Sequence, residues 1–424
     1  MPDGGFFTRF WYSCVTSTTV DSMQIILIIL ITICFCFVAY WCVAWWRLGR
    51  AMRMSISMTE GCGVEPPGEA WPLVTVVIPA HNEEALIARS VEGMRAQRYP
   101  NVRFIFVLDR CTDRTDELIR ETIGDDERFT VLSVSECPPE WAGKCNAARV
   151  GARKAIEVGT EYLLFTDADV LFDPELVQSS VALALREKSD LLSALPTLTS
   201  KSWEELVVQP VASLNLVRMH PTDMVNRAIN PRAFANGQFM LFTRSMYETI
   251  GGHEAVSDDL LEDIAFARLV KSQGGRGIMV NSDRMLVVSM YDSLASMREG
   301  WKRIFIEVAR RQPRRLVQWG VRSAGVGVGM PLVQAATIGV GLHAFGRGDV
   351  VALVLALVSV LSGILGQLAV LFRFYSRANA PRIGILGYNV GCFIVALIML
   401  QGAYDLLRRR PVRWGGREYI LTPR

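Results

Sequence analysis

The sequence predicts an open α/β fold, with a mostly parallel sheet, helices on both of its faces and membrane helices at both ends of the chain. Short β-branched runs alternate with helical segments in the middle of the chain, and long uncharged stretches flank that region. The 424 residues are 50% apolar and 21% charged, and the mean hydropathy is +0.25. This composition is too apolar for a simple soluble enzyme and too charged for a protein that lies wholly in the membrane.

The first apolar stretch predicts an N-terminal transmembrane helix. Residues 23–46 follow an N-terminal segment, residues 1–22, and contain no charged side chain. About 20 apolar residues span a bilayer, and this run is too long for the core of a signal peptide. Arg47, Arg50 and Arg53 come next, so the positive-inside rule predicts that this end of the helix faces the cytoplasm.

A region of alternating strands and helices, residues 73–290, follows a glycine- and proline-rich linker predicted at residues 47–72. Its strand-like runs are VTVVIP, which ends at Pro79, RFIFVLD (103–109), FTVLSV (129–134) and EYLLFTDAD (161–169). The helical segments between them are 83–97, 112–123 with Thr112 as the expected N-cap, and 143–158. Such alternation is typical of parallel sheets, whose ligands bind beyond the carboxyl ends of the strands.

Residues 291–322 are predicted to form an amphipathic interfacial region after the sheet. Apolar residues that include Trp301 share one face of a helix over 293–311, and basic residues that include Arg298 occupy other positions. A helix of this kind can lie in the membrane interface and guide a lipid to a site. A core helix of the globular region has the same pattern, and amphipathicity alone does not separate the two interpretations.

Residues 323–406 contain three further apolar stretches, at roughly 325–345, 350–372 and 385–406, and a basic tail, residues 407–424, follows them. Arginines before the first stretch and between the second and third are typical of the cytoplasmic side. The arginines of the tail conflict with this pattern. Three crossings leave the tail outside, whereas one re-entrant stretch leaves it inside, and the glycine-rich first stretch is the candidate for not spanning.

Charge and cysteine usage narrow the functional classes. The net charge is +3, so no basic field indicates a nucleic-acid partner, and none is expected. The nine cysteines include no pair of C-x-x-C motifs, which argues against a zinc site. We therefore expect reduced thiols in a cytosolic domain rather than a disulfide framework.

Two carboxylates at the end of the fourth strand-like run are the sharpest functional signal. Asp167 and Asp169 can converge on one divalent cation, and Mg²⁺ and Mn²⁺ both favour oxygen ligands. Such an ion neutralises the diphosphate of a departing nucleotide. Alternatively, the same residues only precede and cap the next helix, which Asp173 and Pro174 would start.

Other candidates lie at a strand end and at two helix starts. Asp109 can accept hydrogen bonds from a nucleobase or ribose, or it can cap a helix. Lys144 can balance diphosphate charge beside a helix N-terminus, or it can be an ordinary surface lysine. Glu262 and Asp263 can interact with a helix dipole, or Asp263 can take the proton of an acceptor hydroxyl.

The ordered series of motifs resembles the family-2 glycosyltransferases, with their inverting, Rossmann-like GT-A fold, over roughly residues 73–303. The motifs are PAHNEE, LDRCTD, P-x-W-x-G-K from Pro139 to Lys144, TDAD, ANGQFMLFTR (235–244), IGGHEAV (250–256) and LED (261–263). The tryptophan–glycine–lysine piece, the membrane layout and the tail VRWGGREY (412–419) are most similar to the hopene-associated, carotenoid and ceramide branches, which act on lipids.

The resemblance implies a role for each matched region. The nucleotide-sugar-binding positions would be Pro79, His81, Glu83, Asp109, Lys144 and Asp167. The metal-binding positions would be Asp167 and Asp169. The acceptor side would comprise Gly237, Gln238, His253, Arg298 and Trp301. The catalytic positions would be Glu262 and the base, Asp263. The implied reaction is hexosyl transfer from a nucleotide-diphosphate sugar, expected to be a UDP-sugar, to a lipid hydroxyl at the cytoplasmic face of the membrane.

The sequence departs from the family pattern at two places, and two alternatives remain beside the main interpretation. Leu108 stands where the family has an acidic residue before Asp109, with Arg110 and Cys111 in place of glycine and serine. The Q-x-x-R-W motif is absent, which argues against the first alternative, a processive polysaccharide synthase. The second alternative is a non-catalytic membrane protein that binds nucleotide-sugar. The presence of both TDAD aspartates, Asp263 and Lys144 argues against it.

Overall fold

The protein is described here from a computed structural model, which covers residues 22–65, 68, 70–138, 141–257, 261–414 and 417–423. For residues 412–414 and 417–419 it describes the backbone alone. Pro139 of the P-x-W-x-G-K motif, the predicted N-terminal segment up to residue 21, and glycines 415 and 416 of the tail motif lie outside the described residues.

The chain divides into two compact units. The helical unit comprises Met1–Leu48 and Ala324–Arg373, and the sheet unit comprises Gly49–Ser323 and Phe374–Arg424.

Long apolar helices build the helical unit. They are α1 (Ser22–Arg53), α13 (Met330–Gly346) and α14 (Val350–Arg377), of which α1 and α14 extend by a few residues beyond the unit. Small and polar side chains mark their packing: Cys34 Sγ lies 3.3 Å from Thr337 Oγ1, and a Cβ on Gly366 would lie 3.1 Å from that of Trp41. The predicted N-terminal helix is therefore present and longer than the apolar run that predicted it.

An eight-stranded sheet forms the centre of the sheet unit. Its strands are β1 (Ile56–Ser57), β2 (Val74–Ala80), β3 (Val102–Asp109), β4 (Phe129–Val134), β5 (Tyr162–Phe165), β7 (Leu191–Leu195), β9 (Met240–Thr243) and β10 (Gly277–Asn281). The strand order is β1-β10-β7-β9-β5-β2-β3-β4, and every pairing is parallel except those of β9 with β5 and β7. The predicted mostly parallel α/β sheet is confirmed.

Helices cover both faces of this sheet. One face carries α2 (Ile87–Arg95), α3 (Thr115–Ile123) and α5 (Leu176–Glu187), and the other carries α4 (Gly143–Glu157), α9 (Arg244–Thr249) and α10 (Glu262–Ser272). Successive residues of β2 point to alternate faces, so Val76 joins the first core and Val77 the second. Because both faces are covered, the strands are continuous apolar runs rather than alternating ones.

A small second sheet and further helices complete the sheet unit. The small sheet is formed by β6 (Val170–Phe172), β11 (Leu286–Val288) and β8 (Thr197–Leu198), in that order. The remaining helices are α6 (Trp203–Val207), α7 (Gln209–Met219), α8 (Thr222–Val225), α11 (Leu294–Val308), α12 (Pro313–Ala324) and α15 (Tyr388–Leu407). A hairpin of β12 (Pro411–Trp414) and β13 (Arg417–Ile420) follows α15.

Two predicted boundaries differ from the structure. The predicted linker, residues 47–72, includes the end of α1 and the edge strand β1, which pairs with β10. The helix expected from Thr112 begins at Thr115 instead, with Arg114 at its N-cap position. The physical reason is that the Thr112 backbone N–H donates to Asn82 Oδ1 at 2.8 Å, which holds this residue in the loop.

Four helical segments are long and apolar enough to cross a membrane: Ser22–Arg53, Pro313–Gly346, Val350–Arg377 and Arg382–Leu407. The chain is therefore a membrane protein by the length and composition of its helices. The glycine-rich run Gly325–Gly329 is a π-helical turn between α12 and α13. No disulfide joins the eight cysteines within the described ranges.

Candidate active site

Polar side chains from separate motifs gather at the carboxyl-terminal edge of the large sheet. Strands β5, β2 and β3 are adjacent and parallel, so the segments that follow them meet at this edge. His81 follows β2, Asp109 ends β3, and Asp167 lies two residues after β5. The N-termini of α4 and α10 reach the same edge, because Lys144 contacts both Asp167 and Glu262.

Lys144 is the positive centre of a group of carboxylates. Its Nζ lies 2.5 Å from Asp167 Oδ1 and 3.3 Å from Glu262 Oε1. Burial alone would lower the pKa of the Lys144 ammonium, but attraction to Asp167 and then to Glu262 raises it above its usual range. Burial alone would raise the pKa of Glu262, but attraction to Lys144, together with a backbone hydrogen bond and the charges of His253 and Arg303, lowers it. The lysine is therefore a charged group of the site rather than a surface lysine.

Two glycines of α4 set the position of Lys144. A Cβ on Gly143 would overlap with Asp109 Oδ2, so the glycine lets the start of α4 approach the end of β3 without displacing this carboxylate. A Cβ on Gly151 would collide with Val77, so α4 lies close over β2. The helix N-terminus and its lysine are thereby held beside the strand ends.

Asp263 is held by backbone donors at the start of α10. Its Oδ2 accepts a hydrogen bond from the Gly237 N–H at 2.9 Å, and its Oδ1 accepts one from the Ile264 N–H at 2.7 Å. Burial, followed by repulsion from Glu262, nevertheless raises the pKa of Asp263 to about 7. A carboxylate fixed in position with a pKa near neutrality has the properties of a general base.

Asp167, Asp169 and Glu83 form an anionic cluster beside Lys144. Burial, then repulsion by Asp167 and Glu83, raises the pKa of Asp169 to about 7, so the cluster carries more negative charge than its neighbours balance. Across the part of the chain that the structure describes, no group of three or more His, Cys, Asp or Glu side chains is assembled around a metal position. The two aspartates fit a cation such as Mg²⁺ or Mn²⁺, which takes its other oxygen ligands from phosphate and water.

The loops after β2 and β3 form a second polar group in which the side chains bond to one another. Asp109 is buried and accepts two hydrogen bonds from Arg110, each 2.8 Å long. His81 Nδ1 lies 2.5 Å from the Asp109 carbonyl oxygen. Glu83 donates its backbone N–H to Thr115 Oγ1 at 2.7 Å. The predicted nucleotide positions are therefore brought together, and Pro79 lies in register with Val107 at the end of β2.

The predicted acceptor-side residues separate into different environments. Gly237 and Gln238 border Asp263, and the Gln238 carbonyl accepts a hydrogen bond from Thr166 Oγ1 at 2.8 Å. His253 is buried instead, 2% exposed, with its Nδ1 2.7 Å from the Tyr247 hydroxyl. Its ring packs between Phe165 and Phe266, at 4.7 and 4.9 Å between centroids, and burial lowers its pKa to about 3. His253 is thus a neutral support behind the site rather than a group that reaches an acceptor.

Arg298 and Trp301 on α11 are likewise not brought to the carboxylates. Trp301 is 2% exposed and stacks on Phe305, and Arg298 is exposed and pairs with Glu299 at 3.3 Å. On the same helix, Arg303 is near enough to interact electrostatically with Tyr291 and with Glu262, Asp263 and Asp167, and burial lowers its pKa. Arg303 follows Arg298 by five residues, about 140° around a helix. The sequence shows that Arg303 and Arg298 lie on different sides of α11. It does not show which side lies near the carboxylates, because that depends on how the helix packs.

The comparisons with known sequences support a glycosyltransferase. Residues 75–251 match the sequence profile of Glycosyl transferase family 2. Similar curated proteins include the 4,4'-diaponeurosporenoate glycosyltransferases of Staphylococcus aureus strains RF122 and USA300. Each is 26% identical over 270 residues, which cover 60% of this chain and 69% of the relative.

Comparison with solved structures gave matches of low sequence identity. Mannosyltransferase PcManGT from Pyrobaculum calidifontis, in complex with GDP-Man and Mn²⁺, is 16% identical, with a TM-score of 0.47 over 90% of this chain and 99% of that one. TarS from S. aureus is 15% identical, with a TM-score of 0.39 over 55% of this chain and 39% of its own.

Proposed function

We propose that the protein transfers a hexose, with inversion, from a nucleotide-diphosphate sugar to the hydroxyl of a lipid at the cytoplasmic face of the membrane. The observation that carries this proposal is the pairing of a backbone-held carboxylate, Asp263, with a charge cluster suited to a diphosphate. The donor is expected to be a UDP-sugar.

The chemistry follows from the positions of the charged groups. Asp263 takes the proton of the acceptor hydroxyl while the oxygen of that hydroxyl attacks the anomeric carbon of the sugar. The bond from that carbon to the diphosphate breaks, and the nucleoside diphosphate departs with the bonding electrons. Lys144 and Arg303 lie beside the carboxylates and offset the charge of the departing group. Glu262 pairs with Lys144 and so orients it.

Donor binding is assigned to the neighbouring loops. Asp109 contacts the base, and Pro79, His81 and Glu83 line the nucleotide pocket, with Asp167 at the sugar-phosphate end. Asp169 with Asp167 would hold a divalent cation, Mg²⁺ or Mn²⁺, which would neutralise diphosphate charge when bound.

Three observations support the lipid acceptor and the cytoplasmic orientation. Curated relatives are named for a carotenoid-type acid, 4,4'-diaponeurosporenoate. The chain has helices that can cross a membrane. Arg47, Arg50 and Arg53 end α1 on the side from which the sheet unit continues, as the positive-inside rule predicts for a cytoplasmic end.

Nucleotide release by the detergent-solubilised full chain tests the proposal. The protein is incubated with a panel of nucleotide sugars, Mg²⁺ or Mn²⁺, and a lipid extract, and the lipid product is analysed by mass for an added hexose. Release should need metal and lipid and should vanish in Asp263→Asn and Asp169→Ala proteins. An Asp116→Asn protein is the control, because Asp116 pairs with Arg120 on the exposed face of α3.

Three outcomes would contradict the proposal. No release with any donor favours the non-catalytic, nucleotide-sugar-binding alternative. Release that the Asp263 and Asp169 substitutions leave unchanged means that the site is assigned to the wrong residues. A product of many sugars in one chain would favour the processive polysaccharide synthase.

A further inference from the structure

The fourth apolar helix, α15, belongs to the sheet unit, whereas α13 and most of α1 and α14 belong to the helical unit. In its most apolar stretch 44% of the residues are buried, compared with 17% for Ser22–Arg53. Whether α15 crosses the membrane can therefore be judged from the elements on which its two ends pack.

The beginning of α15 is packed on α6. A Cβ on Gly391 would collide with the Val207 carbonyl oxygen, so the two backbones touch. Helix α6 starts five residues after strand β8 and is fastened to it, because Thr199 Oγ1 donates to the Glu205 carboxylate at 2.9 Å. This end of α15 is thereby fixed beside the small sheet.

The end of α15 is packed on α11. Lys302 Nζ lies 2.9 Å from Asp405 Oδ2, and both side chains are buried, so the ion pair joins the two helices firmly. Helix α11 follows strand β11, and β11 pairs directly with β8, with Val287 in register with Thr197. Both ends of α15 are therefore tied to elements that leave two neighbouring strands.

From these contacts we infer that α15 does not cross the bilayer but lies along the sheet unit at the membrane surface. A helix of 20 residues is about 30 Å long, so a crossing would carry its two ends to opposite sides of the hydrocarbon core. Neither α6 nor α11 is among the segments long and apolar enough to cross, so both helices that hold α15 stay with the large sheet. The segment after Leu407 then lies on the same side of the membrane as the large sheet.

Helix α12 runs antiparallel beside α15 and has the character of an interfacial helix. A Cβ on Gly320 would lie 3.0 Å from Leu400, and Ser323 Oγ donates to the Cys392 carbonyl at 2.9 Å. Arg314, Arg315 and Arg322 make α12 a basic helix, which is typical of segments at the membrane surface.

One uncharged stripe of α15 and the turn before it is exposed, and we assign it to the acyl chains of the adjacent leaflet. The stripe consists of Leu386, Val390, Phe393, Leu397, Tyr404 and Leu407. These spacings of three, four and seven residues lie on one side of a helix, opposite the face that packs on the sheet unit. A helix that is apolar on both faces has no water-facing side, so lipid is the occupant that its composition favours.

This topology resolves the conflict that the arginines of the sequence present. Arg408, Arg409 and Arg410 directly follow α15 and would face the outside if all four apolar segments crossed. With α15 at the surface they lie on the side of the large sheet, as the positive-inside rule expects. The inference concerns topology and stands whether or not the proposed sugar transfer is correct.

Epitope tags in the full-length protein test whether α15 crosses the membrane. Single tags are inserted after Gly124 in the sheet unit, after Gly348 between α13 and α14, after Ala378 between α14 and α15, and at the C-terminus. Each is probed with protease in sealed membrane vesicles of known orientation, and monodisperse behaviour in detergent confirms that the tagged protein is folded. The tags after Ala378 and at the C-terminus should be cleaved from the same side as the Gly124 tag. Cleavage of the Ala378 and C-terminal tags from opposite sides would overturn the inference.

A photo-crosslinking residue identifies what covers the stripe. It is placed at Phe393 or Leu397, which are 47% and 50% exposed, or at the buried Tyr388 as the matched control on the same helix. Phospholipid adducts should form at least about tenfold more at the two exposed positions than at Tyr388. A covalent dimer in place of lipid adducts would mean that a second copy of the chain covers the stripe.

Discussion

The two halves of the active site differ in how their charges are balanced. In the nucleotide half, residues 79–84 and 108–113, Asp109 is paired with Arg110, and Asn82 and Asp113 accept hydrogen bonds from loop amides. In the carboxylate half, Lys144 and Arg303 are the positive groups near Asp167, Asp169, Glu262 and Asp263, and the pKa values of Asp169 and Asp263 are raised to about 7.

This difference separates recognition from chemistry. Apart from Glu83, whose carboxylate belongs to the anionic cluster, the nucleotide half is already bonded internally, so it presents a fixed surface that binding need not rearrange. The carboxylate half keeps an excess of negative charge, so it is balanced only when protons or a cation are bound. Substitutions in the two halves should therefore act on different quantities, and the predictions below begin with the largest expected effect.

Asp263→Asn should remove the base while leaving the shape of the site intact. We expect the rate of transfer to fall by roughly 10²–10⁴-fold, the usual contribution of a general base. Nucleotide affinity, measured by calorimetry on the same protein, should stay within about threefold, because Asp263 belongs to the carboxylate half. A parallel loss of nucleotide affinity would show that the two halves are not separable.

Lys144→Met should destabilise the protein and impair transfer, because it leaves Asp167 and Glu262 without their common partner. The loss in free energy of unfolding should be about 1–3 kcal/mol, less than for a fully buried pair, since 30% of the lysine side chain is exposed. Chemical denaturation measures it. Lys154→Met is the matched control on the same helix, because Lys154 pairs with Glu157 on the solvent face. An equal loss in both variants would contradict the account.

The raised pKa of Asp263 predicts opposite effects of pH on activity and stability. A base must be ionised, so kcat/KM should rise by about tenfold per pH unit up to roughly pH 7 and then level off. The folded protein holds this proton more tightly than the unfolded chain, whose carboxyl value is 3.8, so stability should fall as pH rises through about 7.

Thermal unfolding of the Asp263→Asn protein, with a chelator present, checks the effect on stability. Its Tm should depend less on pH between about 4 and 7 than that of the unaltered protein, although Asp169 contributes in the same direction. A Tm that rises with pH in this range would contradict the predicted sign.

Arg110→Ala should have the smallest effect, because it disturbs only the nucleotide half. Without its partner, Asp109 loses two hydrogen bonds, and nucleotide affinity should weaken by about three- to tenfold. The rate of transfer at saturating donor should change by less than about threefold. Arg120→Ala removes an exposed pair with Asp116 and is the control, with no effect expected on nucleotide affinity.

The sequence was sufficient to predict the sheet and the positions of the residues at the strand ends. Buried strands such as β2 are β-branched runs, and the residue that follows a parallel strand must lie at a known edge, so Asp109, Asp167 and Asp169 could be placed. Lys144 could be placed as well, because a short segment joins it to β4.

Positions that depend on contacts between distant segments could not be predicted in this way. His253 follows two glycines in a polar-looking loop, yet aromatic rings from Phe165 and Phe266 enclose it. The buried ion pair between Lys302 and Asp405, which joins α11 to α15, could not be predicted either, because hydropathy does not reveal which segments pack together. These are properties of packing, which a single sequence does not record.

Binding of Mn²⁺, measured by electron paramagnetic resonance in the presence of a nucleoside diphosphate, tests most directly whether the carboxylate half is completed by a cation. The unaltered protein should bind one Mn²⁺ per chain. Asp169→Asn should weaken this binding by roughly 10–100-fold or more, whereas Asp113→Asn, in the nucleotide half, should leave it unchanged. Equal Mn²⁺ affinity in the unaltered protein and in Asp169→Asn would contradict the account.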